Sequence, residues 1–193
     1  MIIYTTKETF ERFKLKLPEE MSSPVVKSLS QATLERERGD GLLEWGGKLF
    51  YFDRRKCIQV VNFASKLTLF LIDIKLRELP DVGDLIASYM FDLYDGNEKM
   101  AGLLKRFFSD YPVIAFSRLQ NRSAIAQLNQ TQSRYLEDGR RLYDYIEDGI
   151  LHSRRINRDI NREWYFTEKV NGKTEYFNSA KRFADLLEAR YGV

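Results

Sequence analysis

The chain has 193 residues, 44% of them hydrophobic and 31% charged, with 31 Lys and Arg residues against 28 Asp and Glu residues. This composition excludes a disordered chain, because such chains lack the apolar surface that offsets the entropy lost on folding. The formal net charge of +3 is far below that of dedicated nucleic-acid binders. The single cysteine, Cys57, cannot form a disulfide within the chain, which excludes a disulfide-stapled secreted scaffold.

Signals for membranes and export are missing from the sequence. No apolar run approaches the ~18 residues that a membrane span needs, and the first residues lack the basic-then-apolar layout of a signal peptide. We therefore expect a cytoplasmic protein without a membrane partner. Since a typical domain has about 150 residues, we expect a single domain over residues 1–193.

The first part of the chain predicts mainly strands. A strand at Ile2 to Tyr4 and a short helix ending at Pro18 come first. Residues 18 to about 42 are polar and contain two prolines, so we interpret them as a loop. Three further strands, over residues 42–52, 57–63 and 67–74, are predicted to form a meander. Gly46-Gly47 predicts a bulge or tight turn in the first of them.

Helical spacing dominates the middle of the chain. It predicts helices at residues 81–95 and 98–109, a strand at 113–116, and a long helix from about Asn121 to about Glu147 that contains Gly139. Asn171-Gly172 lies between two β-prone segments and predicts a hairpin, after which Asn178 or Ser179 caps a last helix. This order is typical of an α+β fold with a mainly antiparallel sheet made from the first strand, the meander and the hairpin.

Several short motifs resemble a bacterial family that is classed as a domain of unknown function. They are Thr6-Lys7, Trp45, Arg54-Arg55-Lys56-Cys57, Asn62, Thr68-Leu69, Arg122-Ser123, Asn129 and Ile156-Asn157. The Arg-Arg-Lys-Cys segment, with a predicted strand on either side, is the most specific of these. The resemblance implies a bacterial origin but assigns no chemistry, because the family carries no established activity.

Arginine is concentrated in the C-terminal half, where residues 118–162 contain nine Arg and no Lys. Arginine presents a rigid fork of donors that suits phosphate, and a nearby Trp164 could stack on an unpaired base. On a helix, residues spaced by four would share a face. The candidate phosphate contacts are Arg154, Arg155, Arg158 and Arg162, with Asn157 and Asn161 beside them. The alternative is a solvated face whose arginines pair with the acidic residues of the preceding helix.

A second candidate anion site combines Arg55, Arg122 and Ser123. A helix that begins near Asn121 would point free N–H groups outward, with Arg122 and Ser123 as side-chain donors. The alternative is an ordinary Asn cap with two exposed neighbours. If the family resemblance holds, Arg55 and Arg122 would converge on one pocket; this hypothesis fails if their guanidinium groups lie on opposite faces of the fold.

The sequence also contains residues that would suit two kinds of catalytic site. Asp53, followed by Asp73 and Lys75 at the end of a strand, resembles the carboxylates and lysine with which some nucleases hold Mg²⁺ and orient water. Alternation along the strand would place Asp73 and Lys75 on the same side. Cys57 and the single histidine, His152, could pair for nucleophilic catalysis, although a small buried side chain is the simpler interpretation of Cys57.

The leading prediction is a non-enzymatic binding module that needs no cofactor. Its Arg-rich C-terminal half would bind a polyanion, most plausibly nucleic acid, or a partner protein. A Mg²⁺-dependent nuclease that uses Asp53, Asp73 and Lys75 is one alternative. A homo-oligomeric interaction module, with aromatic side chains of the long helix at the interface, is the other.

Overall fold

A five-stranded sheet forms the centre of the structure, a computed structural model that describes residues 1–136 and 140–192. Its strands are β1 (Ile2–Thr5), β2 (Glu44–Phe52), β3 (Arg55–Asn62), β4 (Thr68–Leu71) and β5 (Ala115–Arg118), in the spatial order β4-β3-β2-β1-β5. The α+β class is confirmed. The antiparallel meander is present as β2, β3 and β4.

The sheet is mixed, which corrects the expectation of a mainly antiparallel one. β1 runs parallel to both of its neighbours, β2 and β5, because a helical connection returns the chain before each of these pairings. The C-terminal hairpin, β8 (Tyr165–Val170) and β9 (Lys173–Asn178), is a separate two-stranded sheet. Its turn residues, Asn171 and Gly172, both have positive φ, as the Asn-Gly signal predicts.

Helices cover both faces of the sheet. They are α1 (Lys7–Arg12), α2 (Pro24–Glu37), α3 (Val82–Leu93), α4 (Glu98–Asp110), α5 (Arg122–Leu136), α6 (Arg140–Tyr143), α7 (Ser153–Glu163) and α8 (Ser179–Tyr191). On one face, Leu49 and Leu69 lie in the apolar core that α3, α4 and α8 complete. On the other, Phe50 and Phe70 pack with α6 and α7, and Val61 packs with α5. Among the described helices, none is long and apolar enough to cross a membrane.

Gly46 and Gly47 lie inside one continuous strand, so the predicted bulge or turn is wrong. A Cβ atom at Gly46 would lie 2.9 Å from the Phe63 ring and 3.1 Å from the Leu128 side chain. A Cβ atom at Gly47 would meet Ile3 and Thr5 at 3.0 Å on the opposite face. The two glycines therefore let side chains approach the strand closely from both sides.

The loop predicted over residues 18–42 is also wrong, because α2 occupies most of it. Ser23 caps this helix by accepting a hydrogen bond from the Val26 N–H, and Pro24 occupies its first turn. The buried face of α2 is polar, consisting of Ser30, Thr33 and Glu37. The Glu37 carboxylate lies 2.6 Å from the Met1 amino group. A helix that buries polar side chains lacks the apolar periodicity on which the prediction depends.

The long helix predicted to reach Glu147 begins correctly but does not extend that far. The strands β6 (Ile146–Glu147) and β7 (Ile150–Leu151) form a small hairpin where the prediction has the last helical turn. Its turn is Asp148-Gly149, and both residues have positive φ. Asp-Gly is a strong turn signal that the helical spacing obscured. Gly139, which was placed inside the helix, lies outside the described residues.

Two asparagines attach α7 to the free edge of β4. The Asn157 side chain accepts a hydrogen bond from the Phe70 N–H at 2.7 Å and donates one to the Phe70 carbonyl at 3.1 Å. The Asn161 side chain makes the same pair with Thr68, at 2.9 and 2.7 Å. Each amide thus replaces a neighbouring strand, which satisfies and covers an edge that is otherwise open to pairing. Both side chains are buried and so lie away from any surface ligand.

Candidate anion-binding site

A basic groove lies at the end of the sheet where β2 and β4 end and β3 begins. Because these strands are antiparallel, the β2–β3 turn and the segment after β4 meet at this edge. The groove has a volume of about 630 Å³. Its lining is Arg54, Arg55, Lys56, Asp73, Ile74, Lys75, Leu76 and Arg77, and we call it the tip groove.

The tip groove contains five cationic side chains and one carboxylate. The carboxylate, that of Asp73, is 3.4 Å from the guanidinium group of Arg55, and both groups are more than one-third exposed. Over residues 1–136 and 140–192, no ion pair is found for Arg54, Lys75 or Arg77. The groove therefore keeps most of its positive charge uncompensated and open to solvent, which is the electrostatic character of an anion site.

Backbone turns place these side chains. Asp53 and Arg54 both have positive φ and form the two-residue connection between β2 and β3, a turn that matches strand twist. Lys56 lies on β3, where its ammonium group donates a hydrogen bond to the Arg12 carbonyl at 3.3 Å. The ammonium group is also 5.8 Å from the centre of the Phe13 ring. Lys56 is thus the most firmly positioned cation of the groove.

An exposed aromatic side chain lies beside the tip groove. Tyr51 is directly opposite Lys56 in the β2–β3 register, and 51% of its surface is exposed. A tyrosine next to cations can stack on an unpaired base while the cations bind the adjacent phosphates.

The nuclease residues do not have the predicted geometry. β4 ends at Leu71, and Asp73 has a positive φ, so the alternation that would place Asp73 and Lys75 on one side does not apply. The Asp73 carboxylate is paired with Arg55, while Asp53 is in the β2–β3 turn. In the part of the chain that the structure describes, no group of three or more His, Cys, Asp or Glu side chains could hold a metal ion.

The arginines of α7 are engaged by neighbouring groups. Arg154 contacts Asp92 and the Ser88 hydroxyl of α3, and Arg162 donates to the Leu93 carbonyl at the end of the same helix. Arg155 pairs with Glu147 and with Asp159, and Arg158 lies 3.6 Å from Asp159. Trp164 packs against the core of this face. These contacts favour a salt-bridged face, although the acidic partners lie on α3, on the β6–β7 hairpin and on α7 itself rather than on the preceding helix. A role of these arginines in phosphate binding stays a prediction.

Arg122 and Ser123 lie at the start of α5, away from the tip groove. The Asn121 side chain accepts hydrogen bonds from the backbone N–H groups of Ser123, at 2.9 Å, and Ala124, at 3.3 Å, as an ordinary helix cap does. Asn121 and Arg118 line a different pocket, together with Tyr4 and Glu44. Arg55 and Arg122 are therefore not brought into one described pocket.

The pocket beside α5 contains a perturbed tyrosine. The Tyr4 hydroxyl donates a hydrogen bond to the Glu44 carboxylate at 2.7 Å. Burial, followed by the nearby carboxylate, raises the pKa of Tyr4 to about 12. Tyr4 is therefore neutral at physiological pH, and its hydroxyl group already donates its hydrogen bond to Glu44.

Cys57 and His152 are not partners. Cys57 is fully buried in the core that α7 covers, and its thiol is 3.6 Å from the Arg55 carbonyl. Burial raises the pKa of the Cys57 thiol above its ordinary value. His152 is on the surface, where its ring nitrogen lies 3.7 Å from Glu147. The interpretation of Cys57 as a small buried side chain agrees with this placement.

The sequence pattern selects Arg55 as an anion contact, and Asp73 and Lys75 only as nuclease residues. It misses Arg54, Lys56 and Arg77 of the tip groove, and Tyr51 beside it. The signal was present in the predicted meander. Alternate turns of a meander lie at the same end of the sheet, so the basic segments at residues 54–56 and 75–77 had to be neighbours.

The model of DUF6933, a domain of unknown function, matches residues 2–182. The chain belongs to the DUF6933 family. The resemblance to a family of unknown function is thereby confirmed, and both the tip groove and α7 lie within the DUF6933 match. No curated protein matches the chain.

Proposed function

We propose that this DUF6933 protein is a non-enzymatic binding module for a polyanion, with the phosphate backbone of nucleic acid as the ligand of the tip groove. The observation that carries the proposal is the excess of five cations over one carboxylate in a single exposed groove. Like charges brought together at a surface repel each other, so such a cluster costs stability unless an anion compensates it.

Arginine and lysine would have different roles in the groove. The guanidinium groups of Arg54, Arg55 and Arg77 can each bind a phosphate through two parallel hydrogen bonds, whereas Lys56 and Lys75 act as point charges. The five cations exceed the one carboxylate by four charges, so we expect about four phosphate contacts. The logarithm of the binding constant should then fall with the logarithm of salt concentration with a slope of about −4. Tyr51 would add a stacking contact to an unpaired base, which favours single-stranded over double-stranded ligands.

A direct test measures the fluorescence anisotropy of labelled single- and double-stranded DNA and RNA as the protein is added. We expect binding that weakens ~10²-fold between about 50 and 200 mM salt. The double variant Arg54→Glu/Arg77→Glu should weaken binding at low salt by at least ~10-fold, because four units of charge change inside the groove. Tyr51→Ala should weaken binding to single strands more than to duplexes.

A matched control separates the groove from general charge. Lys169→Glu/Lys173→Glu changes the net charge by the same amount on the exposed C-terminal hairpin. Equal losses in the two double variants would overturn the proposal, since only the overall charge would then matter. A loss in Arg158→Ala alone would instead favour the α7 arginines. Cleavage that requires Mg²⁺ and disappears in Asp73→Ala would favour the nuclease alternative.

A further inference from the structure

The first two turns of α2 expose apolar side chains to solvent. Val25, Val26 and Leu29 are 68%, 50% and 50% exposed, whereas the residues that α2 buries are polar. Surface helices ordinarily turn their apolar face inward and their polar face to solvent. Val25, Val26 and Leu29 are therefore neighbours in a patch of the kind that marks interaction surfaces.

This patch borders a second groove, of about 710 Å³, which we call the β5 groove. Its walls are the segment after α1, the start of α3 and Val26 of α2. Ile114, the residue before β5, and Phe116, on β5, also lie in its lining. Both Ile114 and Phe116 are only half-buried. On the same face of the sheet, the core residues of β2, β3 and β4 are buried beneath α3, α4 and α8. The helical layer is thus incomplete over β5, the edge strand of the sheet.

The charge around the β5 groove is positive. Lys14 and Lys16 line it, with Asp84 as the one carboxylate among its lining residues in the described part of the chain. Leu76, which is 43% exposed, lines both the β5 groove and the tip groove, so the five cations of the tip groove are next to it. Opposite charges on a partner would be attracted to this surface, and like charges would be repelled.

We propose that the β5 groove binds an amphipathic, acidic helix of a partner protein. The apolar side of such a helix would cover Ile114, Phe116 and Val26 and complete the helical layer, as helices do in hydrophobic grooves. Its acidic residues would face Lys14, Lys16 and the cations beyond Leu76. An added strand fits less well, because α2 already packs against β5.

The test uses a fluorescein-labelled synthetic peptide of about five helical turns, with Leu repeated at helical spacing and Glu at the remaining positions. We expect saturable binding to the 193-residue chain. Val26→Glu should weaken it at least ~10-fold, because a charge enters the apolar part of the interface. Lys14→Glu/Lys16→Glu should weaken it as well. Tyr176→Glu, at a tyrosine that is 71% exposed on the C-terminal hairpin, is the matched control and should bind as the wild type does.

Four outcomes would overturn the proposal. The first is no binding of the acidic peptide, and the second is equal binding of a peptide with the same composition and scrambled Leu positions. The third is a concentration-dependent dimer in sedimentation that Val26→Glu dissociates, which would make a second copy the occupant. The fourth is binding to phosphatidylglycerol vesicles that the same substitution abolishes. Circular dichroism of Val26→Glu checks that the exposed substitution leaves the fold intact, and its unchanged nucleic-acid binding would keep this proposal separate from that for the tip groove.

Discussion

The arginines of α7 and the cations of the tip groove differ in what surrounds them. Along α7, each arginine lies close to a carboxylate or a carbonyl. Arg154 contacts Asp92, Arg155 contacts Glu147 and Asp159, Arg158 contacts Asp159, and Arg162 contacts the Leu93 carbonyl. In the tip groove, one carboxylate faces five cations. The region with more arginine in the sequence is thus the better neutralised in the fold.

The two basic regions differ in ion pairing because they lie at different places in the fold. α7 has buried isoleucines and asparagines on one side, so its arginines emerge at the seams with α3 and with the β6–β7 hairpin, where acidic residues are within reach. The tip groove is made by turns at the end of a sheet, and five of the six charged side chains in its lining are cationic. A cation that is paired within the fold contributes to stability, whereas a cation without a partner can bind an anionic ligand.

The largest expected effect concerns Cys57, which follows the cations of the tip groove directly in sequence but faces the core. Because its thiol is buried and its pKa is raised, the native protein should react with a thiol reagent such as DTNB only through unfolding. For a domain of ordinary stability, we expect the reaction to be at least ~10³-fold slower in the native than in the denatured protein. The chain has one cysteine, so absorbance reports this site alone. Rapid reaction of the native protein would mean that the Cys57 thiol is not buried in the core.

The next largest effect is expected at the inner side of α7. Asn157→Ala leaves the Phe70 N–H and carbonyl without their partners in a buried position, and Asn161→Ala does the same for Thr68. We expect each substitution to lower the free energy of unfolding by about 2–4 kcal/mol in urea titrations. Asn129→Ala, at an exposed position of α5, is the control and should change it by less than ~0.5 kcal/mol. An equally small change in Asn157→Ala would mean that the β4 edge does not depend on α7.

Asn157 and Asn161 show which features of the fold can be predicted from the sequence and which cannot. The meander, the Asn-Gly hairpin and the helices near residues 82–93 and 98–110 were predictable, because each depends on local periodicity or a local turn signal. The role of Asn157 was not, since a side chain that pairs with a strand 87 residues away has no local signature. The parallel pairing of β1 with β5 is invisible to local patterns for the same reason.

The candidate sites show the same division. Arg55 was selected because it lies in a motif, but the groove around it joins the β2–β3 turn to the segment after β4, and only the strand pairing connects them. The number and spacing of the α7 arginines indicate a site, but neither shows that the carboxylates of Asp92 and Glu147 lie beside them in the fold. α2 was missed altogether because its buried side is polar and its first two turns expose apolar side chains.

The smallest expected effect tests the comparison of the two basic regions most directly. Arg154→Ala removes a contact to Asp92 and a hydrogen bond to Ser88, so it should lower the free energy of unfolding, by no more than ~1 kcal/mol because the pair is partly exposed. Arg77→Ala removes one of five like charges and should leave the free energy of unfolding unchanged or raise it slightly. Urea titrations at low and high salt measure both variants. Added salt should stabilise the wild type more than Arg54→Ala/Arg77→Ala, since screening relieves a repulsion that the double variant has already lost. If Arg77→Ala instead cost as much as Arg154→Ala, the cations of the tip groove would already have partners, and the groove could not offer its charge to a phosphate backbone.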